Sequence, residues 1–468
     1  MLTDYEIYQS PFTWRYGSPG MRRLWSEANK RRVWRQLWVA LAEVQAEYGL
    51  VRPEQVQDLR SHVDEVDLPR ALAIEAEIHH DLMAELNTYA EQAPTGGPIL
   101  HLGATSMDIE DNADALRMRK ALELVGEKLD ALLGAFAEKI ETYADTPLIA
   151  FTHLQPAEPS TLGYRLALYA QDLLLDRQAI GRARRDLKGK GFKGAVGTGA
   201  AYADLLGSPD KLAEFEARLS TRLGLPFFPL AGQVYPRKQD YQVLSALAGL
   251  GGSLYKFAFD LRFLQSPPVG ELSEPFGRRQ VGSSAMPFKR NPIHAEKIDS
   301  LARQLAQAPR LAWDNAAHSL LERTLDDSAN RRSLLPEAFL IADELLGTTQ
   351  RIVAGLQVNP VALQRNLEVY GPFAATERVL MALGRLGANR QEMHERLREH
   401  AMHAWNEIQA GHANPLVESV CRDPALLAYL PVNELSACFD VSRHLGDAPQ
   451  RARQLAAELR DIHPPSAG

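Results

Sequence analysis

The residues best suited to carry out chemistry lie in one short segment, Gly282–Pro292. It reads GSSAMPFKRNP and combines two adjacent hydroxyl groups, two adjacent cations and one amide side chain with small and proline residues. Hydroxyl and amide groups can donate hydrogen bonds, and a lysine can supply positive charge, to a group that becomes negative during a reaction. Composition alone also allows a mobile linker followed by a capped helix. The segment therefore favours a reactive loop but does not identify its reaction.

A second candidate for proton chemistry is His153, in the segment Thr152–Ala157, which reads THLQPA. The ordinary pKa of histidine lies near neutral pH, so this side chain can donate a proton to a leaving group. A single histidine beside Leu154 could equally be a hydrogen-bonded core residue. The residue becomes a stronger candidate only when it is considered with the other motifs of the chain.

Three blocks together carry a family resemblance. Gly282–Pro292 resembles the signature loop of the fumarase/aspartase superfamily, and the blocks 105–108 (TSMD) and 152–157 (THLQPA) match the same superfamily. Glu322–Arg332 (ERTLDDSANRR) most resembles the branch that acts on succinylated purine nucleotides and ribotides, as do segments around 10–16 and 34–38. The resemblance implies a cofactor-free and metal-free enzyme that eliminates fumarate from a succinylated amine.

The implied reaction explains why these residue types are present. Fumarate leaves when a proton is taken from the carbon next to a carboxylate and the departing nitrogen is protonated. The carbanion spreads its charge into that carboxylate, so a cation and hydrogen-bond donors must already be in place. The resemblance implies that Ser283 is the base, His153 the acid, Lys289 the cation and His80 a support for the acid. Because a serine hydroxyl is a poor base, Ser283 must be activated by backbone dipoles, Lys289 or a helix N-terminus.

The resemblance also implies a set of substrate-binding residues on separate segments. Five of them are expected at the nucleotide phosphate and sugar, because an arginine fork binds phosphate through two parallel hydrogen bonds: Arg15, Tyr16, Arg323, Ser328 and Arg332. Any one of these arginines could instead lie on a solvated charged face. The remaining expected contacts are His79, Asp81, Thr105, Ser106, Gln155, Ser284, Asn291, Glu296 and Lys297.

Three positions depart from the expected pattern. His79 and Lys297 each replace an arginine, and Gly199 replaces a glutamine. These departures bear on substrate affinity more than on the reaction. The adjacent histidines 79 and 80 also raise a metal site as an alternative, but no nearby residue has suitable ligand spacing, and no metal is expected.

Helical periodicity dominates the chain. Apolar residues recur at spacings of three and four, whereas alternating strand-like runs are nearly absent. The predicted long helices cover 34–48, 112–143, 161–185, 241–264, 296–315 and 330–357. The sequence therefore predicts an all-α fold, with His153 at the start of one long helix.

Three helical domains are expected: an N-terminal domain over 1–111, a central long-helix bundle with the signature loop over 112–360, and a C-terminal domain of shorter helices over 361–468, ending in a frayed tail at 464–468. Several long helices are apolar on more than one face, which favours association with other copies of the chain. The resemblance implies a homotetramer with a multi-helix core and active sites shared between subunits.

Composition limits the class of protein. The 468 residues carry a formal net charge of -7 with both signs interspersed, which argues against nucleic-acid binding. Two cysteines, no apolar run near the roughly 20 residues that span a bilayer, and no N-terminal signal pattern predict a cytoplasmic protein.

Two alternatives to this function stay open. The first is another lyase of the superfamily, such as argininosuccinate lyase or a cycloisomerase, against which the block Glu322–Arg332 argues. The second is a helical scaffold without activity, against which the presence of Ser283, His153 and Lys289 argues.

Overall fold

The structure is a computed structural model that describes residues 6–462. Within that range the chain is mainly helical, and its strands form two short antiparallel pairs. The all-α fold class is therefore confirmed. No helix of the described range is long and apolar enough to cross a membrane. The predicted frayed tail, 464–468, lies outside the described residues.

Nineteen α-helices occur between residues 6 and 462. Before the signature loop they are α1 (Pro19–Leu24), α2 (Glu27–Glu47), α3 (Pro53–Ser61), α4 (Leu68–Ile78), α5 (Asp81–Gln92), α6 (Ser106–Thr142), α7 (Leu162–Asp186), α8 (Ala200–Leu206), α9 (Leu212–Leu223) and α10 (Lys238–Gln265). After it they are α11 (Ile293–Leu305), α12 (Ala308–Ala317), α13 (Ser328–Ala354), α14 (Pro360–Arg385), α15 (Arg390–Gln409), α16 (Leu416–Cys421), α17 (Pro424–Leu427), α18 (Val432–Cys438) and α19 (Ala448–Ile462). The strands are β1 (Pro147–Thr152), β2 (Gln155–Thr161), β3 (Leu272–Ser273) and β4 (Gln357–Val358).

Two predictions about the helices need correction. The single helix predicted over 296–315 is divided into α11 and α12, because Pro309 lacks a backbone N–H and occupies the first turn of α12. The C-terminal region was predicted to contain only shorter helices, yet α14 has 26 residues and continues through Pro372.

The chain divides into two compact units. Of the described residues, the first comprises 6–129, 175–252 and 300–347, and the second comprises 130–174, 253–299 and 348–462. A cluster around Trp38, Tyr89 and Phe215 forms an apolar core in the first unit. A cluster around Leu383 and Leu416 does so in the second. The three domain boundaries predicted from the sequence stay a prediction.

A β-hairpin in the second unit positions His153. Strands β1 and β2 pair antiparallel from Pro147 opposite Thr161 to Thr152 opposite Gln155. The prediction that His153 starts a long helix is wrong, because prolines at 156 and 159 disfavour a helix there and α7 begins only at Leu162. His153 and Leu154 instead form the two-residue turn, with φ of 54° and 60°. Phe151 of β1 packs edge-on against Phe263 of α10, with ring centroids 6.3 Å apart.

The turn places a non-glycine side chain in an unfavourable backbone conformation. Leu154 is 69% exposed, so it gains little from packing while its positive φ costs about 1–2 kcal/mol. Leu154→Gly is therefore expected to raise the free energy of unfolding by about 1 kcal/mol, as measured by denaturant titration. The matched control is Met402→Gly, because Met402 is 49% exposed within α15 of the same unit. That change is expected to lower stability by about 1 kcal/mol. Destabilisation by both changes would contradict the assignment of strain to the turn.

Candidate active site

The first unit contains a charged pocket formed by α2, α5, α6 and the start of α13. Four predicted substrate-binding residues line it: Asp81, Arg323, Ser328 and Arg332. They come from α5, from the loop before α13 and from the first turns of α13, so the fold brings together residues separated by more than 200 positions. The pocket thus brings together two of the arginines and the serine hydroxyl that were predicted to bind phosphate, which are the kinds of group that recognise a phosphate.

Ion pairs hold the pocket's arginines in place. Arg332 Nη2 lies 3.0 Å from Asp81 Oδ2. Burial alone would raise the pKa of Asp81, but the charges of Arg332 and Lys30 outweigh it, so that pKa lies below its usual value. Arg323 Nη1 donates to Asp327 Oδ1 at 2.8 Å, and Asp327 also accepts from the buried Arg237 at 2.5 Å. Ion pairs with carboxylates therefore orient Arg323 and Arg332 before any ligand binds.

The structure places His80 next to Ser106. His80 caps α5 by accepting the Met83 N–H at Nδ1, and its Nε2 lies 3.4 Å from Ser106 Oγ. His79 ends α4 with a left-handed backbone, and its side chain is exposed. The pair His80 and Ser106 thus forms one polar cluster, and His79 makes no described contact within it.

A buried carboxylate fixes the segment that carries Thr105 and Ser106. Asp108 accepts the Thr105 N–H at 3.1 Å and also binds the ammonium group of the fully buried Lys190. The backbone N–H groups of Lys193 and Gly194 donate to the same carboxylate at 3.1–3.2 Å. Asp108 therefore ties the start of α6 to the loop 187–199 and holds the two hydroxyl residues in one position.

Gly199, predicted as a departure at a glutamine position, has a backbone role. It precedes α8 with φ of 68°, and a Cβ there would press against Leu212. A side chain at this position would be strained, so the structure accounts for glycine without reference to the substrate.

In the second unit, one buried and two half-buried side chains fix both ends of the signature loop. The Glu274 carboxylate accepts the N–H groups of His294 and Ala295 at the start of α11. Gln265 accepts the Glu274 N–H and donates to the Arg290 carbonyl at 3.0 Å. Asn291 donates to the Gly282 carbonyl at 2.9 Å, so its amide closes the loop whether or not it contacts substrate.

Within this loop, the Ser283 hydroxyl oxygen faces backbone donors. Ser283 Oγ accepts the N–H groups of Ala285 at 3.3 Å and Met286 at 3.1 Å. Backbone donors of this kind stabilise negative charge on an oxygen atom, so the contact agrees with the predicted activation of Ser283, whose role as the base stays a prediction. Gly282 permits the tight loop, because a Cβ there would collide with the Lys289 carbonyl oxygen. The side chains of Ser284 and Lys289 are exposed on the same loop.

The remaining predicted residues lie on separate segments. His153 and Gln155 are exposed at the end of the hairpin, and Glu296 is exposed on the first turn of α11, next to Lys297. In the first unit the Arg15 guanidinium lies over the rings of Trp14 and Tyr16 at 5.7 and 5.9 Å, and neither Arg15 nor Tyr16 lines the charged pocket. Their roles stay predictions.

Sequence reasoning missed several charged residues of the pocket. Glu110, Asp114 and Arg117 of α6 line it, as does Arg331 beside Arg332. Ser106, Glu110, Asp114 and Arg117 are spaced four, four and three apart, which places them on one face of a helix. A polar stripe of this kind that begins at a reactive motif was the available signal. Among residues 6–462 no group of three or more His, Cys, Asp or Glu side chains is arranged to hold a metal ion.

Comparison with known proteins defines the class. Residues 17–306 match the family model described as lyase, and residues 372–455 match the model described as adenylosuccinate lyase C-terminus. A solved 3-carboxy-cis,cis-muconate lactonizing enzyme from Pseudomonas putida superposes with a TM-score of 0.86 at 26% identity, over 97% of this chain and all of that chain. The fold and the matched residues together define a lyase.

Curated relatives then narrow the class to one family. Adenylosuccinate lyase of Saccharomyces cerevisiae is 39% identical over 97% of this chain and 95% of its own length. That of Schistosoma mansoni is 39% identical over 96% and 94%, and that of Pyrococcus abyssi is 36% identical over 91% and 92%. The chain belongs to the adenylosuccinate lyase family.

Proposed function

We propose that this chain cleaves adenylosuccinate into AMP and fumarate, and that it cleaves the succinylated aminoimidazole carboxamide ribotide of purine synthesis in the same way. The similarity to adenylosuccinate lyases along nearly the whole chain carries this proposal. The charged pocket supports it independently, because a nucleotide substrate needs a site for a phosphate monoester. Arg323, Ser328 and Arg332 offer that site.

The reaction is proposed to proceed by proton removal and proton donation at two positions. Ser283 Oγ takes the proton from the carbon that becomes one end of the fumarate double bond, and the electron pair spreads into the adjacent carboxylate. Lys289, with Ser284 and Asn291, stabilises the charge that collects there. The carbon–nitrogen bond then breaks, His153 protonates the departing nitrogen, and fumarate and AMP leave. Protons and electrons balance without an oxidant or reductant, so no cofactor is assigned.

His80 is proposed to support the acid, and its contact with Ser106 orients the imidazole. Asp81, Thr105, Gln155 and Glu296 are proposed as further substrate contacts. Arg15 and Tyr16 are proposed to contact the nucleotide phosphate and sugar, and His79 and Lys297 complete the set. We further propose that the protein is a cytoplasmic homotetramer whose sites are shared between subunits.

Four substrates decide between this function and its nearest rivals. Adenylosuccinate, argininosuccinate, malate and 3-carboxy-cis,cis-muconate are each incubated with the purified protein, and product formation is followed by absorbance. Turnover is expected with adenylosuccinate and at least 10³-fold less with the others, because the phosphate site would be left unfilled. Turnover of argininosuccinate or the muconate, with none of adenylosuccinate, would replace the proposed function by that of a rival lyase or cycloisomerase. Absence of turnover with all four substrates would favour the scaffold.

A further inference from the structure

Glu110 stands out among the pocket's charged side chains. It lies on α6, one turn after Ser106, and it lines the same pocket as Arg323, Ser328 and Arg332. Among the described residues no cation lies within ion-pair distance of Glu110, and no hydrogen bond to its side chain is formed. A carboxyl group that lines a cation-rich pocket without a partner remains available to a ligand.

The pocket's charge balance depends on the state of this one group. Five cations line the pocket: Lys30, Arg117, Arg323, Arg331 and Arg332. Three carboxylates besides Glu110 line it: Glu27 from α2, Asp81 from α5 and Asp114 from α6. The charges of these lining residues sum to +2 when Glu110 is neutral, and two of the cations, Arg323 and Arg331, also pair with Asp327 and Asp240, which do not line the pocket. An excess of cations along the lining suits a phosphate monoester, whose charge is roughly −2. Ionised Glu110 would halve the positive charge and place a negative charge against the ligand.

The surroundings of Glu110 favour its neutral form. Burial raises the pKa of Glu110 to about 8, and the neighbouring carboxylates of Asp81, Asp114 and Asp111 act in the same direction. Arg332 opposes them, but its guanidinium is already paired with Asp81. At neutral pH the carboxyl group therefore carries a proton that it can donate to an acceptor.

We infer that Glu110 is a further substrate-binding residue that contacts the substrate's phosphate group as a neutral hydrogen-bond donor, and that its ionisation weakens nucleotide binding. The inference rests on the proposed function, since it assigns the pocket to the phosphate end of the nucleotide. When the free protein has Glu110 ionised, binding takes up one proton from solvent, which goes onto the Glu110 carboxylate. The donated O–H then points to a phosphate oxygen.

The test is the pH dependence of AMP affinity in the full-length protein. AMP is titrated calorimetrically at pH 7.5, 8.5 and 9.5, where its phosphate remains a dianion throughout. For wild type the Kd is expected to rise by up to roughly 20- to 30-fold across this range, because only the protein with neutral Glu110 binds well. Glu110→Gln keeps a neutral donor of similar shape and removes no described contact. The Kd of this variant for AMP is therefore expected to change less than about threefold between pH 7.5 and 9.5. At pH 8.5 wild type should also take up protons when AMP binds, so its measured binding enthalpy should differ between two buffers with different ionisation enthalpies. The binding enthalpy of Glu110→Gln should be the same in both buffers.

Glu27→Gln is the matched control, because Glu27 lines the same pocket but is paired with Lys30. It should keep the wild-type pH slope. Equal slopes in wild type and Glu110→Gln, or no slope in either, would overturn the role of Glu110. Ribose 5-phosphate titrations and adenylosuccinate cleavage at pH 7.5 separate the two proposals. If the Kd of ribose 5-phosphate depends on pH in wild type but not in Glu110→Gln, and adenylosuccinate is not cleaved, the proposed function is wrong and the inference stands. If adenylosuccinate is cleaved, but wild type and Glu110→Gln show the same pH dependence of Kd, the inference is wrong and the proposed function stands.

Discussion

Ser283→Ala is expected to lower the rate of adenylosuccinate cleavage by at least about 10³-fold while changing the Kd of adenylosuccinate by less than about threefold. The substrate complex forms before the carbon-bound proton is removed, so loss of the base affects the transition state and leaves the ground state largely unchanged. The two N–H groups that face Ser283 Oγ belong to the backbone of the loop and remain after the substitution. Calorimetric titration and steady-state rates on the same preparation measure both quantities.

Ser284→Ala is the neighbouring control. Ser284 is exposed on the same loop and is assigned only a donor's role, so its loss is expected to cost about 10- to 100-fold in rate. If Ser283→Ala abolished binding together with activity, Ser283 would be a structural or binding residue. If Ser284→Ala had the larger effect on rate alone, the base would have been assigned to the wrong hydroxyl.

His153→Gln and Ser283→Ala are each expected to be inactive alone and to restore activity when mixed. The proposed tetramer draws each site from different subunits, so a hybrid can combine an intact His153 from one chain with an intact Ser283 from another. Random reassembly at equal amounts leaves both groups intact in about a quarter of sites. The rate should therefore return toward a quarter of wild type after dissociation and reassembly, with the mass of the assembly verified.

Two controls make this result interpretable. Each variant is dissociated and reassembled alone, and each should remain inactive. A mixture that forms hybrids of verified mass but recovers no activity would show that His153 and Ser283 of one site come from the same chain. The shared-site proposal would then be lost, although the reaction could still proceed as proposed.

The helices could be predicted from the sequence because their signal is local. The apolar stripes of α6, α7, α10 and α13 repeat at helical spacing over 25 or more residues, and their observed bounds lie close to those predicted. The hairpin β1–β2 was missed because prolines at 147, 156 and 159 interrupt any alternating pattern, and its stability comes from contacts distant in sequence. Among them is Arg165, which donates to the Ile149 carbonyl at 2.9 Å and pairs with Glu271.

Part of the lining of the charged pocket could be predicted where a motif named the residue, and the rest was missed because only the fold brings those residues to the pocket. Asp81, Arg323, Ser328 and Arg332 were expected at the substrate and do line one pocket. Glu110 attracted no attention in the sequence, because a glutamate on a polar helix face is ordinary until its surroundings are known. Its lack of a cation partner and the proximity of other carboxylates arise only when α5, α6 and α13 are packed together.

The central claim is that the chain removes fumarate from adenylosuccinate by elimination, and the products of that one substrate test it most directly. Purified protein is incubated with adenylosuccinate, and the four-carbon product is identified by proton NMR while AMP is quantified. Elimination by Ser283 and His153 predicts one fumarate and one AMP for each adenylosuccinate consumed. It also predicts that Ser283→Ala gives neither product at a comparable rate. Formation of malate in place of fumarate, or no consumption of adenylosuccinate by a folded protein that binds AMP, would contradict the account.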